Sequence, residues 1–170
     1  MLKKDKLAFL GFIADDSETM RAAVDHFESC EPGHFEEHPI SRSLILQHID
    51  RLIHLWHTQT DPTIRNWIIQ FVAESSIVTA QTKPIIDAAL LYEGGSTLRL
   101  ALYAAANNAR LFENIGDRLL SLASHPDYEV RWRVGYVLCY MKNRCDAMRK
   151  ATEILKTEPD DLIQTYVGEL

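Results

Sequence analysis

The chain of 170 residues lacks most of what would assign it a chemistry. No apolar run approaches the roughly 18 residues that cross a bilayer, so no membrane span is expected. The basic start Met1-Leu2-Lys3-Lys4-Asp5-Lys6 runs through a short apolar stretch into Asp15-Asp16. No small-residue cleavage pattern follows, and no signal peptide is expected. Cysteine is sparse: Cys30, Cys139 and Cys145 show no CxxC spacing. This excludes a disulfide framework and is read as buried free thiols in a reducing, cytoplasmic setting. No GxSxG, P-loop or GxGxxG sequence occurs, so the expectation is a protein that is not an enzyme and carries no cofactor. Net charge is −6, which argues against a surface whose main work is to hold a nucleic-acid backbone.

Glycine and proline are also few, at seven and six, and they sit as punctuation: Pro32-Gly33, Pro39, Pro62, Gly94-Gly95, Pro126 and Pro159. Between these marks apolar residues fall at helical spacing, with no alternating strand pattern. Asp61, Ser96, Asp127 and Asp160 precede helical segments as expected N-caps, with Asp16 or Ser17 capping an earlier one. After Asp61 the apolar face is Ile64, Ile68, Phe71 and Val72, with Trp67 at its edge. After Ser96 it is Leu98, Ala101, Leu102, Ala105 and Ala106. After Asp127 it is Val130, Val134, Val137, Leu138 and Met141. A further amphipathic segment precedes each helix: Leu44 to His57, Lys83 to Leu91 and Asn114 to Ala123. A fourth, Asp146 to Leu155, leads into the last capped segment.

These helices share a beat. Ile64-Arg65, Leu98-Arg99 and Val130-Arg131 place arginines 34 and then 32 residues apart, and one further step reaches Ile163-Gln164. Met20-Arg21 reads as a degenerate first copy. A helix pair of this size cannot bury its apolar face alone, so neighbours must stack. The expected fold is all-α, an α-solenoid of antiparallel helix pairs with a period of about 33. It is read as one domain over residues 1–170. Residues 1–39 supply capping helices and a loop, 40–158 three helix pairs, and 159–170 a capping helix.

The turn-plus-helix sequences Asp61-Pro62-Thr63-Ile64-Arg65 and Pro126-Asp127-Tyr128-Glu129-Val130-Arg131 resemble HEAT and HEAT-like repeats. Gly95-Ser96-Thr97-Leu98-Arg99 keeps the apolar–Arg pair without the acid. The resemblance implies that the second helix of each pair lines the concave side. It also implies a structural ladder in which Arg65, Arg99 and Arg131 pair with turn acids, Asp61 and Asp127.

Candidate sites follow from positions that fail to repeat. Trp132, Tyr136 and Tyr140 run at i, i+4 and i+8 opposite the apolar face, flanked by Arg131 and Arg133. In strict register their counterparts are Leu100, Ala104 and Asn108 in one copy and Asn66, Gln70 and Glu74 in another. An open aromatic ridge would be a hot-spot surface, whereas a covered one would be packing against a neighbouring helix. His34 and His38, or His54 and His57, have spacings that could bind metal, but a polar loop and a polar helix face are the readings adopted, with no metal assigned. Cys145 beside Arg144 has a faint claim to reactivity.

The expected function is a non-catalytic protein-binding module, most concretely a monomeric inhibitor or immunity protein. Its partner would be another protein, such as a basic toxin nuclease, with Glu74, Glu113 and Asp117 as candidate acids. HEAT-like DNA glycosylases and bilin-lyase-like or chaperone-like HEAT proteins are the alternatives that the resemblance leaves open.

Overall fold

The computed structural model describes residues 1–31, 34, 39–74, 78–168 and 170. These residues form helices and no strands, and the chain divides into two compact units, 1–77 and 78–170. No helix among them is long and apolar enough to cross a membrane.

The first unit contains α1 (Lys3–Phe12), α2 (Ser17–Glu28), α3 (Arg42–Gln47), α4 (Ile49–Thr58) and α5 (Pro62–Glu74). Helices α1 and α2 pack together, as do α4 and α5. Phe71 is the hub of this unit. Phe9, Phe12, Phe27 and Trp67 surround its ring with centroids 5.2–5.8 Å away, three of them edge-on. Edge-to-face rings gain quadrupole attraction beyond the area they bury. Trp67 keeps its indole N–H satisfied on Glu28 Oε1 at 2.7 Å. The continuous helix expected from Leu44 to His57 is broken at His48, whose φ of −118° leaves the helical range. The break sets the His48 ring against buried Phe9.

The second unit contains α6 (Lys83–Ala89), α7 (Gly95–Asn107), a 3-10 turn (Ala109–Leu111), α8 (Gly116–Leu122), α9 (Tyr128–Tyr140), α10 (Asp146–Lys156) and α11 (Asp161–Val167). Helix α6 packs on α7, α8 on α9, and α10 on α11. In addition α7 packs on α9, α9 on α11, and α8 on α10. The apolar stripes read from the sequence in α7 and α9 are buried at 0–2 % exposure.

Asp16, Asp61, Asp127 and Asp160 cap α2, α5, α9 and α11, each accepting a backbone N–H two or three residues on. Ser96 does not cap. Helix α7 starts at Gly95, two residues before the start that a Ser96 cap would set, and Gly95 there adopts φ +77°, a conformation open to glycine. The cysteines also depart from expectation: Cys139 and Cys145 are exposed and Cys30 is half-buried.

The apolar–Arg beat has a local cause at two of its four positions. Arg131 donates to the carbonyls of His125 and Pro126, which follow α8. Gln164, one period later, donates its side-chain N–H to the carbonyls of Leu155, Lys156 and Glu158, which end α10. Gln164 thereby covers carbonyls in the last turn of α10, and Arg131 those of the turn that follows α8. Replacing Gln164 by Ala therefore costs about 0.5–1.5 kcal/mol in urea unfolding, while Gln164→Arg stays near neutral. Phe71→Ala costs about 3–5 kcal/mol by the same measurement, against less than about 0.5 for Leu91→Ala at an exposed position.

Candidate functional site

The most distinctive side chains of the second unit lie on α9, on the side away from its buried valines. Trp132 and Tyr136 are half-buried and Tyr140 is 49 % exposed. The Tyr136 ring meets Tyr140 at 4.9 Å and Trp132 at 6.2 Å, both edge-on. Adjacent helices contribute two more rings. Tyr103 of α7 stacks on Tyr136 at 6.1 Å, nearly parallel. Tyr166 of α11 stacks on Trp132 at 6.1 Å and meets Tyr136 edge-on at 5.2 Å. Five rings thus form one patch across three successive second helices. The rings cover each other at their edges and stay open outward, with Tyr103 40 % exposed. Open surface and packing against a neighbour are both present.

Tyr103 and Tyr166 escaped the strict register. The register pointed to Leu100, Ala104 and Asn108, yet Ala104 is buried and Asn108 is turned back onto the Ala104 carbonyl. A signal was available, since Tyr103 stands 33 residues before Tyr136.

The two arginines that flank the stripe in sequence point to different tasks. Arg133 lies over the Trp132 ring at 4.3 Å and donates to Glu129 Oε2 at 2.9 Å. Glu129 also accepts from Arg99 at 2.8 Å, and the two guanidiniums hold its carboxyl below the usual carboxylate range. Arg131 turns away to Glu158, with Nε and Oε1 3.1 Å apart. It is fixed in the scaffold together with its two carbonyl contacts. Beside Tyr140 a cleft of about 430 Å³ opens between the end of α7 and the end of α9, lined by Asn107, Arg110, Glu113, Lys142 and Asn143. Asn143 donates to Glu113 across it at 3.1 Å.

The expected arginine ladder exists in part, with different acids. Asp61 and Asp127 are committed to backbone N–H groups as caps, so the rungs are Arg99–Glu129 and Arg131–Glu158. Arg65 instead lies over the Trp56 ring at 4.1 Å. Asn66 and Gln70 are half-buried on α5 of the first unit, and the Glu74 side chain lies outside the described residues. Thus Asn66 and Gln70 stand in the other unit from the aromatic group.

Of the histidines, His54 and His57 are exposed on α4. His38 lies outside the described residues. His34 is 3.2 Å from the carboxylate of buried Asp5, which is also 3.0 Å from His26. Glu113 and Asp117 are exposed.

No model of a known protein family matches the chain. No curated protein sequence matches it either. Among solved structures, the chain is similar to a crystal structure of an engineered protein, with a TM-score of 0.56 and 20 % identity, covering 98 % of this chain and 78 % of that one. At that identity the likeness concerns the fold alone.

Tyr136 donates its hydroxyl proton to Tyr140 at 3.5 Å. That bond, then burial among the neighbouring tyrosines, raises its pKa well above the ordinary value. Unfolded tyrosine ionises near pH ~10, so the contribution of Tyr136 is complete below that pH and is lost as pH rises through the folded pKa. In an alkaline absorbance titration of the six tyrosines, the latest-ionising phenol disappears in Tyr136→Phe.

Proposed function

We propose that the chain is a non-catalytic protein-binding module that engages its partner through the aromatic patch on α7, α9 and α11. The observation that carries this reading is the five-ring cluster itself, half open to solvent and rimmed by Arg133. Tryptophan, tyrosine and arginine are the residues that dominate interface energies, because they offer large contact area together with a polar end. A ring pre-packed on its neighbours also loses little side-chain freedom on binding.

The architecture we infer is a short HEAT-like solenoid of stacked antiparallel helix pairs with a period of about 33. Support comes from the matched caps Asp61, Asp127 and Asp160 and from the equivalent roles of Arg131 and Gln164. The second helices of such an array present one continuous binding face. In its narrower form the module is a monomeric cytoplasmic inhibitor or immunity protein that covers a basic partner such as a toxin nuclease. The net charge of −6 favours encounter with such a partner.

The test uses Tyr103→Ser with Tyr140→Ser, the two most exposed rings, so that folding is preserved. Affinity for a partner captured from the host falls roughly 10–1,000-fold while helicity stays the same. A photo-crosslinking residue at position 103 or 140 reaches the partner, and one at exposed Leu91, just after α6 in the same unit, does not. Unchanged capture by the double variant overturns the aromatic surface. A duplex-DNA gel shift at low salt overturns the protein-binding reading in favour of nucleic acid.

A further inference from the structure

The first unit holds a polar cluster that the aromatic surface does not use. Asp5 is fully buried on α1. Its Oδ1 lies 3.0 Å from His26 Nε2, and its Oδ2 lies 3.2 Å from His34 Nε2 and accepts the Leu2 N–H at 3.3 Å. Cys30 joins them from just beyond the end of α2, with its thiol on the His26 carbonyl at 3.3 Å. Ligand atoms of Asp5, His26 and Cys30 all lie within 4.8 Å of one another. The sequence reason is the spacing His26-x3-Cys30-x3-His34. His26 and Cys30 stand one turn apart at the end of α2, and turn hydrogen bonds run from Cys30 N–H to Phe27 and from His34 N–H to Glu31.

We propose that Asp5, His26 and Cys30, with His34 as the fourth group, form a zinc site that pins α1 to the end of α2. The donor set selects the metal. Calcium and magnesium require oxygen shells, whereas two imidazoles, a thiolate and a carboxylate suit a borderline-soft ion that accepts four ligands in a tetrahedron. Zinc bonds of about 2.0–2.3 Å put tetrahedral ligand atoms roughly 3.3–3.8 Å apart. The Asp5–His26 and Asp5–His34 separations are already near that range, and Cys30 lies within 4.8 Å of Asp5 and His26, so the side chains draw together on binding. On binding, Cys30 releases its proton, and the two neutral imidazoles carry theirs on Nδ1 while Nε2 ligates. Four protein ligands leave no open position, so the site is structural rather than catalytic.

The experiment titrates the full-length, reduced, chelator-treated chain with Co²⁺ as a spectroscopic stand-in, and then with Zn²⁺. The expected result is one ion per chain, tetrahedral d–d bands, a thiolate-to-cobalt charge-transfer band and a raised melting temperature with Zn²⁺. Cys30→Ser removes the charge-transfer band, and Cys30→Ser and His26→Gln each weaken binding at least roughly tenfold. Cys139→Ser with Cys145→Ser, and His54→Gln with His57→Gln, leave it unchanged. The absence of binding at micromolar metal overturns the proposal. So does a charge-transfer band that survives Cys30→Ser. Should His26→Gln unfold, the Cys30→Ser spectrum decides alone, because Cys30 lies at the margin of the packed unit.

Discussion

A helix ends by leaving up to four carbonyls without a partner, and this chain ends helices often. Its described helices run only 6–13 residues, so terminal groups are a large share of their backbone groups. The structure meets these carbonyls, and those of the turns that follow, with long polar side chains drawn from further along the sequence. Arg51 donates to the carbonyls of Ile13 and Ala14 after α1. Arg118 does the same for Leu90 and Tyr92 after α6, at 2.6 Å each. Arg131 and Gln164 serve α8 and α10. His125 accepts the Asp127 N–H on Nδ1, which leaves Nε2 to donate to the Glu93 carbonyl. Each contact ties a helix end to a later element and so fixes relative position as well as satisfying a carbonyl. Apolar stripes alone would allow the helices to slide; these bonds hold the register in which the stripes meet.

That constraint also explains what could be read from the amino-acid order. The inward faces of α5, α7 and α9 were legible because burial follows the 3.6-residue period whatever the neighbour is. The caps at Asp61, Asp127 and Asp160 were legible because capping is settled within four residues. The break at His48 was not, because it reflects contact with Phe9, some forty residues away. Ser96 misled as well: a capping residue was present, but the helix begins ahead of it at Gly95. The acids of the ladder were misplaced because Asp61 and Asp127 turn to the first-turn N–H groups of their own helices, whereas Glu129 and Glu158 reach the guanidiniums of Arg99 and Arg131.

The surface was half legible. Trp132, Tyr136 and Tyr140 stand out as a pattern within one helix. Tyr103 and Tyr166 join them only through the packing of α7 and α11 on α9, and a pairing between helices does not keep strict register because copies differ by one or two residues in length. Arg131 and Arg133 are two apart and therefore face away from each other on the helix. Arg131 goes to the carbonyls after α8 and to Glu158, and Arg133 is left beside Trp132.

Scaffold and surface are thus two uses of the same helices. Matching positions supply an N-cap at α5, α9 and α11, a buried stripe on α7 and α9, and a tie to preceding carbonyls on α9 and α11. Those roles leave the outer faces of these helices chemically free. On α9 that freedom is spent on rings, and the rings are tolerable in water because they cover one another. Tyr136 gives up much of its exposure to Tyr103, Tyr140 and Tyr166. A lone exposed aromatic would gain nothing before a partner arrived. A packed group of five is held in place beforehand, which in the proposed binding role would lower the ordering entropy of association. The side chains of the proposed contact surface are therefore the ones that make the patch a stable part of the fold, and the distinction between surface and core lies in which part of each ring is still open.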